Sequence, residues 1–235
     1  MSFASLTSTR ERILASLIDL CRDSPDLAAN ALGLGPTQTG DVALNTTLLE
    51  RPSAPAIRVY AGVLFEALDY PTLTARARRR AQTWVAISSG LWGLVRVTDR
   101  IPAYRLSGGT TLPGLGTLAS AWRERVASEI QSCAGPIIDL RSSTYAALGP
   151  VPVAARRRTI TVRVLAERDG KRTIVSHMNK ATKGRVLRAA LESEDTIRSA
   201  DDMVDALHEW GYVCELVARA QPSASAAIDV IVREL

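Results

Sequence analysis

Apolar residues recur three and four positions apart over residues 10–22, where Ile13, Leu14, Leu17, Ile18 and Cys21 share one face and Thr9 stands at the capping position. A second helix is predicted over 25–32, ending at Gly33. The turn Gly33-Leu-Gly-Pro36 leads into a third helix starting at Pro36. Two helices joined by a Gly-x-Gly turn resemble a helix-hairpin-helix, whose turn amides grip a DNA phosphate, although an ordinary helical corner uses the same residues. Arg51-Pro-Ser-Ala-Pro55 reads as a linker. The arginine cluster over 72–81 reads as the solvated face of a helix, and Trp84-Val-Ala-Ile87 as a buried strand. Further along, Leu118, Trp122, Val126 and Ile130 mark an amphipathic helix over 117–132, and Pro136-Ile-Ile-Asp-Leu140 a short buried strand.

Residues 159–167 and 171–176 predict a hairpin about Asp169-Gly170. Asn179 is positioned to cap a helix over 180–191. Another helix, over 200–210, stops at Gly211 before a strand over 212–217. From Gln221 the chain is Ser/Ala-rich until Ile228 and reads as a tail that adds little. Strands and helices alternate, but the hairpin breaks a strict βαβ rhythm. The pattern predicts an α/β (α+β) fold, a mixed β-sheet flanked by helices. It further predicts one domain over 1–235, with 1–55 a helical N-terminal appendage, 56–218 the body and 219–235 the tail.

Hydrophobic residues make up 46% of the 235, enough for a sizeable core, yet only 5% are aromatic, so Leu, Val, Ile and Ala must fill it. No apolar run approaches the length of a membrane span, and the N-terminus lacks the layout of a signal peptide. A cytoplasmic protein without membrane association is the expectation. The three cysteines, Cys21, Cys133 and Cys214, each lie in apolar runs and suit buried packing better than a disulfide or zinc. His177 and His208 have no Cys or carboxylate at metal-ligand spacing, so no metal or cofactor is expected. The net charge of +5 favours anionic partners.

Residues 88–109 are the most informative stretch. They combine glycines, Trp92, Tyr104, arginines and Asp99 with no helical or strand periodicity, and Leu91, Trp92, Ile101 and Leu106 carry too much apolar surface for disorder. An ordered, partly buried loop presenting Arg96, Tyr104 and Arg105 is predicted. The following Gly-rich stretch, 107–116, lacks the Lys-Ser/Thr of a P-loop and reads as a flexible connector.

Of the 29 basic residues only Lys171, Lys180 and Lys183 are lysine. Lys180 and Lys183, i and i+3 in the first turn of the predicted helix, would oppose the macrodipole unless an anion occupied the site. Gly184 would then admit a ligand to the backbone, with Arg185 adding charge. A tolerated exposed pair is the alternative. Asp139, Ser142 and Tyr145 end a strand where open sheets bind ligands, although Asp139 and Ser142 also suit a helix cap. No Gly-x-Ser-x-Gly elbow surrounds Ser142, so no catalytic nucleophile is assigned.

Ser89-Gly-Leu-Trp-Gly93, Arg96, Asp99 and Tyr104-Arg-Leu106 resemble the central signature of the YaaA family of bacterial peroxide-stress proteins. Val59-Tyr-Ala-Gly-Val63, Ile138-Asp-Leu-Arg-Ser-Ser-Thr-Tyr145 and Ser176-His-Met-Asn-Lys-Ala-Thr-Lys-Gly-Arg185 are similar to the same family in the same order. Val97 departs from a common proline, Ser107-Gly108 from Glu-Met, and Thr144 from a glutamate. The family's opening strand and lysine turn have no counterpart here. Either the start lies too far downstream or the strand is lost, and no role is carried over for that lysine. The resemblance implies a family-specific fold rather than a Rossmann order.

It also implies a DNA-binding protective protein of the peroxide response, associated with limiting iron-dependent DNA damage. Its partner would be duplex, damaged or structured DNA, met in a basic cleft by Lys180, Lys183, Arg185, Arg96, Arg105 and Tyr104, with Asp139, Ser142, Tyr145 and Asp99 lining a pocket. The rival expectation is an enzyme acting on a phosphorylated or nucleotide substrate, and a third is a scaffold whose basic faces are merely solvated. No protein partner is indicated.

Overall fold

The computed structural model describes the chain except residues 39, 169–170, 174–175, 219–220, 222 and 234–235, and the side chains of Pro36, Ser176 and Arg233. The chain divides into two compact units. One comprises residues 1–59, 85–130 and 141–150, the other 60–84, 131–140 and 151–235.

In the first unit a 3-10 turn at Ala4–Leu6 runs straight into the helix Thr7–Asp23, so Thr9 lies inside the helix and does not cap it. Ile13, Leu17 and Cys21 are buried along this helix as the periodicity predicts. Helices Pro25–Ala31 and Gly40–Thr46 follow, separated by the 3-10 turn Pro36–Gln38. At the Gly-x-Gly corner Gly33 adopts φ of 64°, open to glycine at no steric cost, and the Gly35 amide donates to Gln38 Oε1 at 3.2 Å.

Residues 88–109 are built from short strands that periodicity does not reveal. Ala86–Ser89 and Gly93–Arg96 form an antiparallel hairpin, and Arg100–Pro102 pairs antiparallel with Ser53–Pro55. The buried strand expected at 84–87 is therefore shifted, and Trp84 instead ends the helix Ala75–Trp84 with 60% of its surface exposed. The expected flexible connector contains a small hairpin, Thr111–Leu112 against Gly116–Thr117. The helix Leu118–Ser132 follows, burying Leu118, Trp122, Val126 and Ile130.

The second unit is centred on a mixed sheet in the order 213–217, 226–233, 159–168, 137–139, with Lys171–Thr173 also paired to Thr159–Arg168. Ala226–Arg233 runs parallel to Thr159–Arg168 and antiparallel to Val213–Val217. The segment read as a tail therefore supplies an interior strand. Its Ile228 and Val230 join Ile160, Val162, Val164, Val186, Met203 and Leu207 in one core. Alternation explains the placement, because 160, 162, 164 and 166 point inward while Arg163 points away and pairs with Asp229 on the neighbouring strand at 2.6 and 2.7 Å. The antiparallel pairing expected beyond residue 168 is present, whereas its turn, Asp169-Gly170, lies outside the described residues.

Helices Ser176–Glu192 and Ala200–Glu209 pack on this sheet. Ser199 caps the second, exchanging bonds with Asp202 in a capping box. The arginine cluster does more than face solvent. Arg80 donates to the carbonyls of Leu191 and Ser193, and Arg76 to that of Glu192, so guanidinium groups cover the negative end of the long helix.

Candidate functional site

In the signature hairpin, Gly90 and Gly93 are explained by packing. A Cβ on Gly90 would meet the Leu106 carbonyl at 2.8 Å, and one on Gly93, whose φ is 71°, would strike the Trp122 ring at 2.9 Å. Trp122 in turn donates its indole N–H to the Gly90 carbonyl at 2.8 Å. Leu91, Val95, Val97 and Ile101 are wholly buried, as an ordered segment requires.

The polar signature residues hold this shape. Asp99 accepts from the Ser2 amide at 2.8 Å, the Ser2 hydroxyl at 3.1 Å and the Arg96 amide at 2.8 Å. Arg96 lays its guanidinium over Phe3 and donates to the Val85 carbonyl at 3.1 Å. Tyr104 shares a 2.7 Å hydrogen bond with Ser89 and meets Trp92 edge-on. Arg105 is different. Its backbone is held by the buried Asn45, which bonds both its N–H and its carbonyl, but its side chain is 47% exposed, with Asp41 at 3.7 Å. Trp92 Nε1 and Ser88 Oγ are buried with no hydrogen-bond partner among the described residues.

Periodicity alone misses Arg10 and Asn45. Arg10 is 4% exposed and donates to the carbonyls of Trp92 at 2.9 Å, Leu94 at 2.8 Å and Ser2 at 2.8 Å. Burial pulls its pKa below the ordinary arginine value, opposed by the charges of Asp99 and Glu129. A readable signal does exist for Arg10, since a lone charge amid an apolar helical stripe must find buried acceptors.

Ser142 and Tyr145 belong to the same unit. Ser142 is exposed and stands at the N-cap of Ser143–Ala147, but its side chain makes no capping bond. The Tyr145 ring packs on Gly108, where a Cβ would come within 3.0 Å.

Asp139, Lys180, Lys183 and Arg185 belong to the other unit. The helix begins at Ser176, so Asn179 is interior and neither lysine lies in the first turn. Neither lysine therefore opposes the helix dipole at its first turn, and the dipole calls for no anion there. Nor do the lysines form an exposed pair. Lys180 is exposed, whereas Lys183 is 7% exposed and feels the charge of Asp139, itself 8% exposed. Burial lowers the Lys183 pKa and Asp139 works against that shift. Gly184 serves packing rather than a ligand, because a Cβ there would lie 2.2 Å from the Leu64 carbonyl and 2.8 Å from Ala67 Cβ. Arg185 is exposed, and neither it nor Lys180 pairs with a carboxylate among the described residues.

The described residues hold no cluster of three or more His, Cys, Asp or Glu suited to a metal, and no helix long and apolar enough to cross a membrane. Cys21 and Cys214 are buried and Cys133 is partly so, and none is in a disulfide among the described residues.

Comparison with known proteins gives this architecture a family. A family model described as peroxide stress protein YaaA matches residues 4–215. A UPF0246 protein of Streptomyces coelicolor is 43% identical over 237 residues, covering 100% of this chain and 90% of its own length. A UPF0246 protein of Corynebacterium efficiens is 39% identical, covering 92% of this chain and 85% of its own. One from Corynebacterium glutamicum is 40% identical over the same shares, 92% and 85%. The matched span takes in the signature hairpin, the Asp139 strand and the lysine helix, and the chain belongs to the family of peroxide stress protein YaaA.

Proposed function

We propose that this chain binds DNA as a protective protein of the peroxide stress response, limiting iron-dependent damage. The family's name supports the stress role. The observation that carries DNA binding is the lysine helix. Among the described residues Lys180 and Arg185 stand exposed without carboxylate partners, and Lys183 between them is seated in the protein with Asp139. Unpaired surface cations on a rigid helix are what a phosphate backbone needs. In the other unit Arg105, half-exposed and loosely held by Asp41, offers a phosphate contact of its own. In this reading Arg96, Tyr104 and Asp99 shape the hairpin that presents Arg105, and Lys183 positions its helix.

The test is fluorescence anisotropy with intact and bubble-containing duplex across a salt series. Three phosphate contacts give a log–log slope of about −2 to −3, and replacing Lys180 and Arg185 with alanine flattens it by about two units. Salt-independent or absent binding overturns the proposal.

The buried pairing of Lys183 with Asp139, at the carboxyl end of the parallel strand Ile137–Asp139, favours a second reading: an enzyme acting on a phosphorylated or nucleotide substrate. Nucleotide binding that is lost in Lys183→Met, with none to DNA, selects it.

A further inference from the structure

A groove of about 260 Å³ lies within the first unit, lined by Ser8, Thr9 and Arg12 of one helix and Ser120, Glu124 and Arg125 of another. It shares no residue with the sites above. Its lining comes from the first two turns of Thr7–Asp23 and of Leu118–Ser132, and neither helix carries a carboxylate in its first turn. Two positive helix ends and two guanidinium groups therefore act on one small space. Neither Arg12 nor Arg125 has an ion-pair partner among the described residues.

Thr9 marks the groove as more than a charged surface. It is 5% exposed, yet its hydroxyl has no hydrogen-bond partner among the described residues, and it lines the groove. The hydroxyl opens onto the groove instead of being sealed from it, so a ligand that accepts from it gains a directed hydrogen bond and specificity. Ser120 is already committed, donating to the Thr117 carbonyl at 2.7 Å, which leaves Ser8, Thr9, Arg12 and Arg125 as donors. Glu124 is the one carboxylate of the lining. It repels a free dianion but accepts from hydroxyl groups.

We infer that this groove binds a small hydroxylated phosphomonoester. Arg12, Arg125, Thr9 and Ser8 hold the phosphate, and Glu124 takes a hydroxyl of the organic part. The volume suits a few-carbon ester and is too small for a drug-sized ligand.

Calorimetric titration of the full chain at constant ionic strength tests this, with glycerol 3-phosphate as probe and inorganic phosphate alongside. The wild type binds glycerol 3-phosphate at one site and more tightly than inorganic phosphate. Arg12→Gln with Arg125→Gln weakens it at least about tenfold, through loss of charge-assisted hydrogen bonds. Thr9→Val, nearly isosteric, weakens it several-fold. Glu124→Gln removes the preference for the ester. All three variants unfold at the wild-type temperature without ligand, or binding is compared only among those that do. Equal binding by wild type and the double variant overturns the inference, as does no heat up to millimolar probe. Loss of duplex binding in the double variant, in parallel with the ester, reassigns the groove to DNA and equally overturns the small-ligand assignment.

Discussion

The signature hairpin and the lysine helix are both rich in cations, glycines and polar residues, and the structure uses them in opposite ways. In the hairpin almost every polar signature group bonds to a neighbouring segment, with Asp99, Arg96, Tyr104 and the buried Arg10 tying strands together. Along the helix the division runs by position. Lys183 and Gly184 face inward and fix its seating, whereas Lys180 and Arg185 face outward with no carboxylate among the described residues to answer them. A family motif is therefore a mixture of residues that build a surface and residues that are the surface. Burial separates them.

Substitutions sharpen this division. The largest effect is expected at Arg10→Met, which strands three backbone carbonyls and should cost roughly 3–5 kcal/mol in urea unfolding. A loss below about 1 kcal/mol would break the claim that the hairpin rests on this side chain. Next is Lys183→Met, which leaves Asp139 buried without its cation, at a cost of roughly 2–4 kcal/mol.

That variant also carries a pH signature. Burial lowers the folded pKa of Lys183 below its ordinary 10.5, so just under 10.5 the unfolded chain holds the extra proton. Stability from this site then grows as pH rises from the lowered folded value towards 10.5. The deficit of Lys183→Met relative to wild type should widen over that window, and a constant deficit would contradict the lowered pKa. Gly184→Ala comes third, at roughly 1–3 kcal/mol, because its methyl cannot coexist with the Leu64 carbonyl where it stands. Smallest is Lys180→Ala with Arg185→Ala, expected within about 0.5 kcal/mol of wild type in thermal or urea unfolding. A large loss there would make the outward cations structural and collapse the contrast.

Much of the fold is legible in the chain. Helices over Thr7–Asp23, Leu118–Ser132 and Ala200–Glu209 follow from their apolar spacing, and the mixed sheet flanked by helices follows from one hairpin among alternating elements. The strands of the signature segment are not legible, because runs of three or four residues between glycines and prolines are too short to show a period of two. Ala226–Arg233 is missed for another reason. Small residues at its start dilute the hydrophobic signal, and the pairing that makes it interior is with a strand far away in sequence.

At the candidate site the residue types are readable but their roles are not. Which lysine faces inward is set by the packing of Gly184 against Leu64 and Ala67, and the helix begins at Ser176 rather than Lys180. The four-residue shift takes both lysines out of the first turn, and the packing leaves one buried and one exposed.

The placement of Ala226–Arg233 has a consequence for biosynthesis. Thr159–Arg168 leaves the ribosome with its parallel partner still fifty-eight residues away, counting from 168 to 226. At ordinary elongation rates that interval lasts roughly 3–12 s. Throughout it Ile160, Val162 and Val164 belong to a strand whose edge and face are incomplete. The nascent chain must be shielded for those seconds, and a stalled ribosome would hold it at its most adhesive.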